Sequence, residues 1–406
     1  MNILCIVPYV PSLVRVRPYH LIKGLTARGH RVTVLTLWSD GAERAELERL
    51  KTEAQEVRAA PITRLRAYWN SVRALPTTEP LQAAYCWQPA LAEQMHRLVS
   101  AGNGKFDVVH VEHLRGARYG LDLKSHLAET GVRIPIVWDS VDCISLLFRQ
   151  AAANGAGAFS RTVTHFELPR TERYEGWLLN QFDRVLVTSG HDAAALRSLN
   201  PNAQSVSVLS NGVDLEYFSA NGSATRSTSA IVMSGKMSYH ANVAMALYFV
   251  REVLPRVWAE RRDAQLWIVG KDPPREVREL ARHPRIKVTG TVADVRPYLR
   301  AAAVAVAPQP YAVGVQNKVL EAMACGTPVV ASPQAASALQ ANSGRDLLVA
   351  DDSKAFSRAV LSLLSDAGIR RSLGRAGRQY VEQHHRWSES VEKLEGIYDE
   401  LIGAER

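Results

Sequence analysis

Several familiar chemistries are missing from this 406-residue chain. It has no Cys-x-x-Cys pair, no His-Glu-x-x-His, no Gly-x-Ser-x-Gly elbow and no Asp-x-Asp triplet. Its four cysteines, Cys5, Cys86, Cys143 and Cys325, follow no regular spacing. They read as buried free thiols in a reducing compartment, not as a disulfide framework or a zinc site, and no metal is expected. None of the three Gly-Lys dipeptides (104–105, 235–236, 270–271) has a glycine five residues before its own, which excludes a P-loop. Gly155-Ala156-Gly157-Ala158-Phe159-Ser160 imitates a dinucleotide fingerprint but follows a helical pattern and ends in serine, so it reads as a loop and no cofactor is expected. No stretch approaches the roughly 18 apolar residues of a membrane span. The chain opens directly on a core strand, Asn2 to Val7, with no charged leader ahead of it. A cytoplasmic location is expected.

What is present suits a folded, two-domain protein. Hydrophobic residues make up 47% and charged residues 22%, enough apolar surface for full cores over a length that exceeds one ordinary domain. The formal net charge of +9 favours anionic company. The basic residues are dispersed and no nucleic-acid module is recognisable, so nucleic acid is not an expected partner.

Short β-branched runs alternate with longer helical patterns, as in parallel α/β sheets with crossover helices. Strands are expected at 2–7, 31–37, 107–111, 134–138, 184–188 and 205–209, and again at 229–234, 264–269, 285–289, 303–307, 327–331 and 346–349. The polar stretch 219–228 has little to bury and separates the two series. The expected organisation is an N-terminal Rossmann-like domain over 1–218, a linker over 219–228, and a second Rossmann-like domain over 229–375. A helical tail over 376–406 would pack back on the first domain. In paired doubly wound sheets, ligands sit beyond the carboxyl ends of the strands, which predicts a cleft between the domains.

One segment concentrates chemistry there: Tyr311-Ala312-Val313-Gly314-Val315-Gln316-Asn317-Lys318-Val319-Leu320-Glu321-Ala322-Met323-Ala324-Cys325-Gly326. It reads as a loop after a strand, a short helix from about Gln316, and a glycine stop. Gly314 permits close backbone approach, and the helix start offers unpaired N–H groups and a positive dipole end. Lys318 adds a full charge, so the site suits a diphosphate. Glu321, three residues on, lies on the same helix face and can accept hydrogen bonds from two adjacent hydroxyls, as on a ribose. An ordinary helix with a surface Lys–Glu pair fits the same spacing.

Lys318 to Val330 (KVLEAMACGTPVV) resembles the nucleotide-sugar signature of glycosyltransferase family 4, whose members are retaining enzymes of the GT-B fold. The opening is similar as well: Pro8, then Arg17-Pro18-Tyr19-His20 running on to Gly29-His30-Arg31-Val32. So is Asn211-Gly212-Val213-Asp214 with Phe218, which in this family closes the N-terminal domain. The resemblance implies a GT-B fold and transfer of a hexose from a nucleotide-diphosphate sugar to a glycan, lipid-linked or small-molecule acceptor. It implies that Glu321 binds the donor ribose and that the amides around Gly314, Val315, Gln316 and Asn317 hold the diphosphate. Gly235-Lys236 stands where the family has a Gly-Arg pair, whose cation also faces the diphosphate.

The chain departs from the family pattern in three places. The first glutamate of Glu-x7-Glu falls at Val313, the second cation falls near the uncharged Ala241, with Lys318 as its substitute, and the usual Gly-Gly of the first loop is replaced by Ser12-Leu13-Val14-Arg15-Val16-Arg17. These departures resemble sugar transferases of exopolysaccharide gene clusters with an Arg-x-Tyr-His opening. Arg17 is a candidate for the donor phosphate or an anionic acceptor, or a surface charge at a helix start. Asp139 and Asp142 are candidates for sugar hydroxyls or a cationic anomeric centre, and the competing reading is helix N-capping by Asp139 or Ser140. His110 and His113 are candidate acceptor contacts, or structural histidines.

The family's proposed front-face route, in which donor phosphate takes the acceptor proton, then relies on Lys318 and Lys236 to neutralise the leaving group without a metal. Residues 58–75 contain Arg58, Arg64, Arg66 and Arg73 and no acid, with Ile62, Leu65, Trp69 and Val72 on one helical stripe. This is the pattern either of a helix lying on the inner face of the membrane, near lipid-linked acceptors, or of one covering the sheet. A non-hydrolysing sugar-nucleotide epimerase and an inactive nucleotide-sugar-binding protein are the rival readings.

Overall fold

The computed structural model describes residues 1–100, 106–153, 158–203, 205–220 and 226–404, without the side chains of 158–163. Gly104-Lys105, Gly155 to Gly157 and the centre of the expected linker, 221–225, lie outside the described residues. Two compact units emerge, one formed by Met1–Ser210 with Trp387–Arg406, the other by Asn211–Arg386.

The first unit holds seven strands: β1 (Asn2–Val7), β2 (Arg31–Trp38), β3 (Glu56–Pro61), β4 (Val108–Glu112), β5 (Ile136–Val141), β6 (Arg184–Val187) and β7 (Val206–Val208). They form one sheet in the order β3-β2-β1-β4-β5-β6-β7, and every pairing is parallel. The near-continuous apolar runs explain this, since β1 and β4 are covered on both faces. β3 is the strand that periodicity does not reveal: Ala59, Ala60 and Pro61 carry no β-branched signal, and the strand is held by its pairing to β2. Residues 58–75 are therefore not one helix. Pro61 ends the strand, and the helix Arg64–Ala74 starts only after Thr63, whose hydroxyl accepts from the Arg66 amide at 3.2 Å. Arg58 sits on β3, paired with Glu56 at 2.7 Å.

The C-terminal helix Trp387–Gly403 lies in this first unit, with Val391, Leu394, Ile397 and Tyr398 in one core with Leu21, Ile22 and Leu25 of the helix Val16–Ala27. Residues 211–218, expected to close the N-terminal domain, belong to the second unit. There Val213 bridges Arg386, and the Asn211 carbonyl lies 2.8 Å from His385 Nδ1.

The second unit has six parallel strands: β8 (Ala230–Ser234), β9 (Gln265–Val269), β10 (Ile286–Val288), β11 (Val304–Ala307), β12 (Val329–Ala331) and β13 (Leu348–Val349), in the order β10-β9-β8-β11-β12-β13. Ile231, Met233, Leu266, Ile268 and Val306 pack on one face with Phe249, Phe356 and Val360. On the other, Val232, Ala305 and Val329 meet Leu320, Met323 and Tyr380. In each sheet the strand order reverses once, between β1 and β4 and between β8 and β11. The crevices for ligands therefore open at the loops after those four strands.

Candidate functional site

At the second unit's reversal point, the loop after β8 is Gly235-Lys236 and the loop after β11 leads to the helix Asn317–Ala324. That helix ends where its sequence dictates. Gly326 adopts φ 66°, and its amide and that of Thr327 donate to the carbonyls of Met323 and Ala322, both at 2.9 Å. At its start, the backbone N–H groups of Asn317 and Lys318 have no acceptor among the described residues. Gly314, at φ 61°, supplies the left-handed turn that leads into it.

Lys318 and Glu321 lie one turn apart on this helix and interact through their charges. Lys318 Nζ donates to Asn242 Oδ1 at 3.0 Å and to Gln316 Oε1 at 3.2 Å, while Gln316 Nε2 donates to the Val313 carbonyl at 2.8 Å. Asn242 in turn donates to the Lys236 carbonyl at 2.9 Å. The two loops thus converge on the Lys318 ammonium. Gly235 is needed here, because a Cβ on it would lie 3.0 Å from Asn242 Nδ2 and 3.3 Å from Lys318 Cε. A Cβ on Gly270, after β9, would overlap the Gly235 carbonyl. Lys236 itself is exposed. Asn317 accepts from Asn211 Nδ2 at 3.3 Å. Val315 and Val313 are buried, so the position of the family's first glutamate is an apolar wall.

Lys318 and Glu321 each keep part of their surface on solvent while protein surrounds them on most sides. Burial lowers Lys318 to about 8 against the opposing pull of Glu321, and burial raises Glu321 to about 7 against Lys318. Two groups displaced toward neutrality at a switch point make this the candidate site for a charged ligand. Glu321 accepts no hydrogen bond among the described residues, which leaves its carboxylate for one.

The first unit's reversal point is built from different chemistry. Arg17 is buried and forms a two-pronged ion pair with Asp139, Nε to Oδ2 at 2.8 Å and Nη2 to Oδ1 at 3.1 Å, while Nη1 donates to the Leu209 carbonyl at 2.9 Å. Its guanidinium, expected at a phosphate or at the surface, is committed inside the unit. Burial pushes Asp139 up, but the Arg17 charge and the His110 contact outweigh that and hold it at about 2. His110 is buried between Asp139, at 3.5 Å, and the Tyr398 hydroxyl, at 2.8 Å.

Neither Asp139 nor Ser140 caps a helix, because β5 continues through them and bulges before Val141, which takes φ 68°. The following helix, Ile144–Ala153, is capped from a distance by Glu175, which accepts from the Ile144 and Ser145 amides at 2.8 and 3.0 Å. Asp142 accepts from the Thr188 hydroxyl at 3.1 Å, and burial and then the Asp192 charge raise it. His113 stands at the end of β4 with φ 64°, and burial, then Arg115, drop it to about 3, so it is neutral at working pH.

The comparisons with known proteins also divide the chain into two parts. The description "Glycosyltransferase Family 4" matches residues 14–217, and "Glycosyl transferases group 1" matches residues 228–366. The chain belongs to glycosyltransferase family 4. Among curated proteins, the enzyme is 25% identical over 91 residues to the "Uncharacterized glycosyltransferase MJ1069" of Methanocaldococcus jannaschii, a match spanning 22% of this chain and 23% of that relative. Among solved structures, it is similar to a sucrose-phosphate synthase from Thermosynechococcus elongatus (TM-score 0.73, 20% identity, 99% of each chain). It is also similar to Anabaena HepE in complex with UDP and glucose (0.68, 14%, 98% of this chain and 100% of that one). A third is a mutant of S. aureus TarM in complex with Fondaparinux, alpha-GlcNAc-glycerol and UDP (0.67, 9%, 98% and 99%). At such identities these structures establish the GT-B fold with its two Rossmann-like units.

Several residues at the two reversal points carry no signal that the sequence reading found. Asn242, which ties Lys318 to the β8 loop, has no local signal. Tyr9 donates to Glu112 at 2.8 Å, and burial, then the Asp139 charge, raise Glu112 to about 8. Gln309, just after β11, is buried with neither end of its amide paired among the described residues. Groups of that kind call for an external partner.

Proposed function

We propose that this enzyme is a retaining hexosyltransferase that uses a nucleotide-diphosphate sugar as donor. Its acceptor is a glycan, a lipid-linked sugar or a small molecule, and its setting is exopolysaccharide or cell-surface glycan synthesis in the cytoplasm. The observation that carries the reading is the pairing of Lys318 and Glu321 on one helix turn at the β8/β11 reversal. The ammonium meets the diphosphate, the open amides of Asn317 and Lys318 meet its oxygens, and Glu321 accepts from the ribose hydroxyls. Lys236, exposed beside them, is the second cation. In the front-face route the bond from the anomeric carbon to the diphosphate breaks and its electron pair stays on the phosphate. The acceptor oxygen bonds to the same face of the carbon, and its proton passes to the leaving phosphate. No described helix is long and apolar enough to cross a membrane.

Because HepE is described with UDP and UDP-glucose bound, uridine nucleotides are the first donors to try. Calorimetric titration with UDP-, GDP-, ADP- and dTDP-sugars is expected to find one tight family. Glu321→Gln is expected to weaken it roughly tenfold or more, the worth of a charge-assisted hydrogen bond. A variant that binds as the wild type does, or a panel in which nothing binds, would refute the assignment. Turnover of the bound donor with a crude lipid or glycan acceptor separates the enzyme from an inactive binder, the reading that the apolar Val313 favours.

A further inference from the structure

The helix Arg64–Ala74 is amphipathic in the reverse sense. Its inward face carries Ala67 and Ala74, both buried, with the half-buried Asn70 and Ser71 between them. Its outward face carries Leu65, Tyr68, Trp69 and Val72, 79%, 63%, 59% and 50% exposed, and continues to Leu75 just beyond it. Steps of three and four residues place these side chains on a single stripe. Arg64 borders the stripe on one side, and Arg66 and Arg73 on the other, all exposed. No acid occurs from Val57 through Thr78. A helix that covered the sheet would turn its large residues inward, and this one turns them to solvent.

The same edge is extended by a second segment. Arg15 and Arg64 line one cavity of about 190 Å³, with Tyr9, Glu43 and Arg115 also in its wall. The loop that carries Arg15 also carries Leu13 and Val14, 55% and 58% exposed. Two exposed apolar segments and a polar recess between cationic side chains therefore share the edge of the first unit beyond β1, β2 and β3.

We propose that this edge docks on an anionic lipid bilayer and that the enzyme takes its acceptor from that surface as a lipid-linked molecule. The proposal rests on the transfer reading above for the acceptor and on the helix alone for the docking. Apolar side chains at this exposure, flanked by Arg64, Arg66 and Arg73 on a helix that carries no acid, complement an interface that is apolar below and negative above, and the nearby Glu43 is paired with Arg15 at 2.8 Å. Tyr68 and Trp69, apolar rings that each carry one polar group, suit the boundary between headgroups and acyl chains.

Flotation of the full chain with phosphatidylglycerol-containing vesicles is expected to show binding that is lost on pure phosphatidylcholine and weakened at high salt. Arg66→Gln with Arg73→Gln should cut partitioning roughly 20-fold, and Trp69→Ala with Val72→Ala about tenfold. All four positions are exposed and outside the donor site, so donor hydrolysis in the absence of acceptor should not change. Transfer to a lipid-linked acceptor in vesicles should fall with partitioning, and transfer to a water-soluble acceptor should not. No binding at low salt, or equal binding by wild type and variants, would overturn the proposal. So would a wild type that self-associates in solution while Trp69→Ala stays monomeric, which would assign the stripe to a second copy. Absence of donor hydrolysis in the wild type itself would count against the transfer reading and leave the flotation result standing.

Discussion

Lys318→Ala is expected to lower kcat by roughly 100-fold or more, the usual consequence of removing one preorganised stabiliser of a leaving group's charge. The ammonium is held in place by Asn242 Oδ1 and Gln316 Oε1, neutral acceptors that orient it without cancelling its charge. The positive field is therefore present before the donor arrives, and its interaction strengthens as the diphosphate takes up the electron pair. Folding should be little affected, because the alanine at this half-buried position removes a group already disfavoured there as a cation. Lys318→Arg keeps the charge in a wider fork that Asn242 and Gln316 would have to accommodate, so partial activity is expected. A kcat for Lys318→Ala within about threefold of wild type would remove this residue from the leaving-group role.

The same pair fixes the pH dependence. In the free enzyme Glu321 titrates at about 7 and Lys318 at about 8. The productive form has both charged, so kcat/KM should fall on the acid side as Glu321 takes up a proton and on the alkaline side as Lys318 loses one. Bound diphosphate favours the charged lysine, so the alkaline limb of kcat should lie above that of kcat/KM. In Lys318→Arg the alkaline limb should vanish while the acid limb persists. An unchanged alkaline limb in that variant would assign it to another group.

The parallel architecture was legible because strands buried on both faces are nearly uniform in β-branched and apolar residues, and the donor loop was legible because its glycines and charges lie within one short segment. What escaped was non-local. Lys318 meets Asn242 across 76 positions and Arg17 meets Asp139 across 122, and no pattern within either segment announces the other. β3 escaped because its alanines and proline have little strand preference, so pairing with β2 decides its state. The residues 58–75 show both sides of this: their amphipathic character was readable, but which face points inward depends on the small residues Ala67 and Ala74 being buried where the helix packs on the short helix Leu81–Tyr85.

Breaking the Arg17–Asp139 pair is expected to be the most destabilising polar change in the first unit. Arg17 is 3% exposed and Asp139 0%, so removing either partner leaves a charge buried without its counter-ion, at a cost of about 3–5 kcal/mol. Asp139→Asn and Arg17→Met should each lower the melting temperature by roughly 10 °C. The double variant Arg17→Met with Asp139→Leu should recover part of that loss, since no lone charge remains. Acid provides an independent check. Asp139 is depressed in the folded state to about 2 from its ordinary value of about 3.8, so its contribution is complete above about pH 4 and is lost as the pH falls through about 2. The linkage amounts to about 2 kcal/mol. Wild type should therefore lose stability over that window more steeply than Asp139→Asn, which has no carboxyl to protonate there. Parallel acid curves for the two proteins, or single variants that melt with the wild type, would show that the pair does not hold the start of the helix Val16–Ala27 to β5 beside the β1 and β4 ends. The crevice beyond those strands would then need another support, and the nearest one is the His110–Tyr398 hydrogen bond that ties the C-terminal helix to β4.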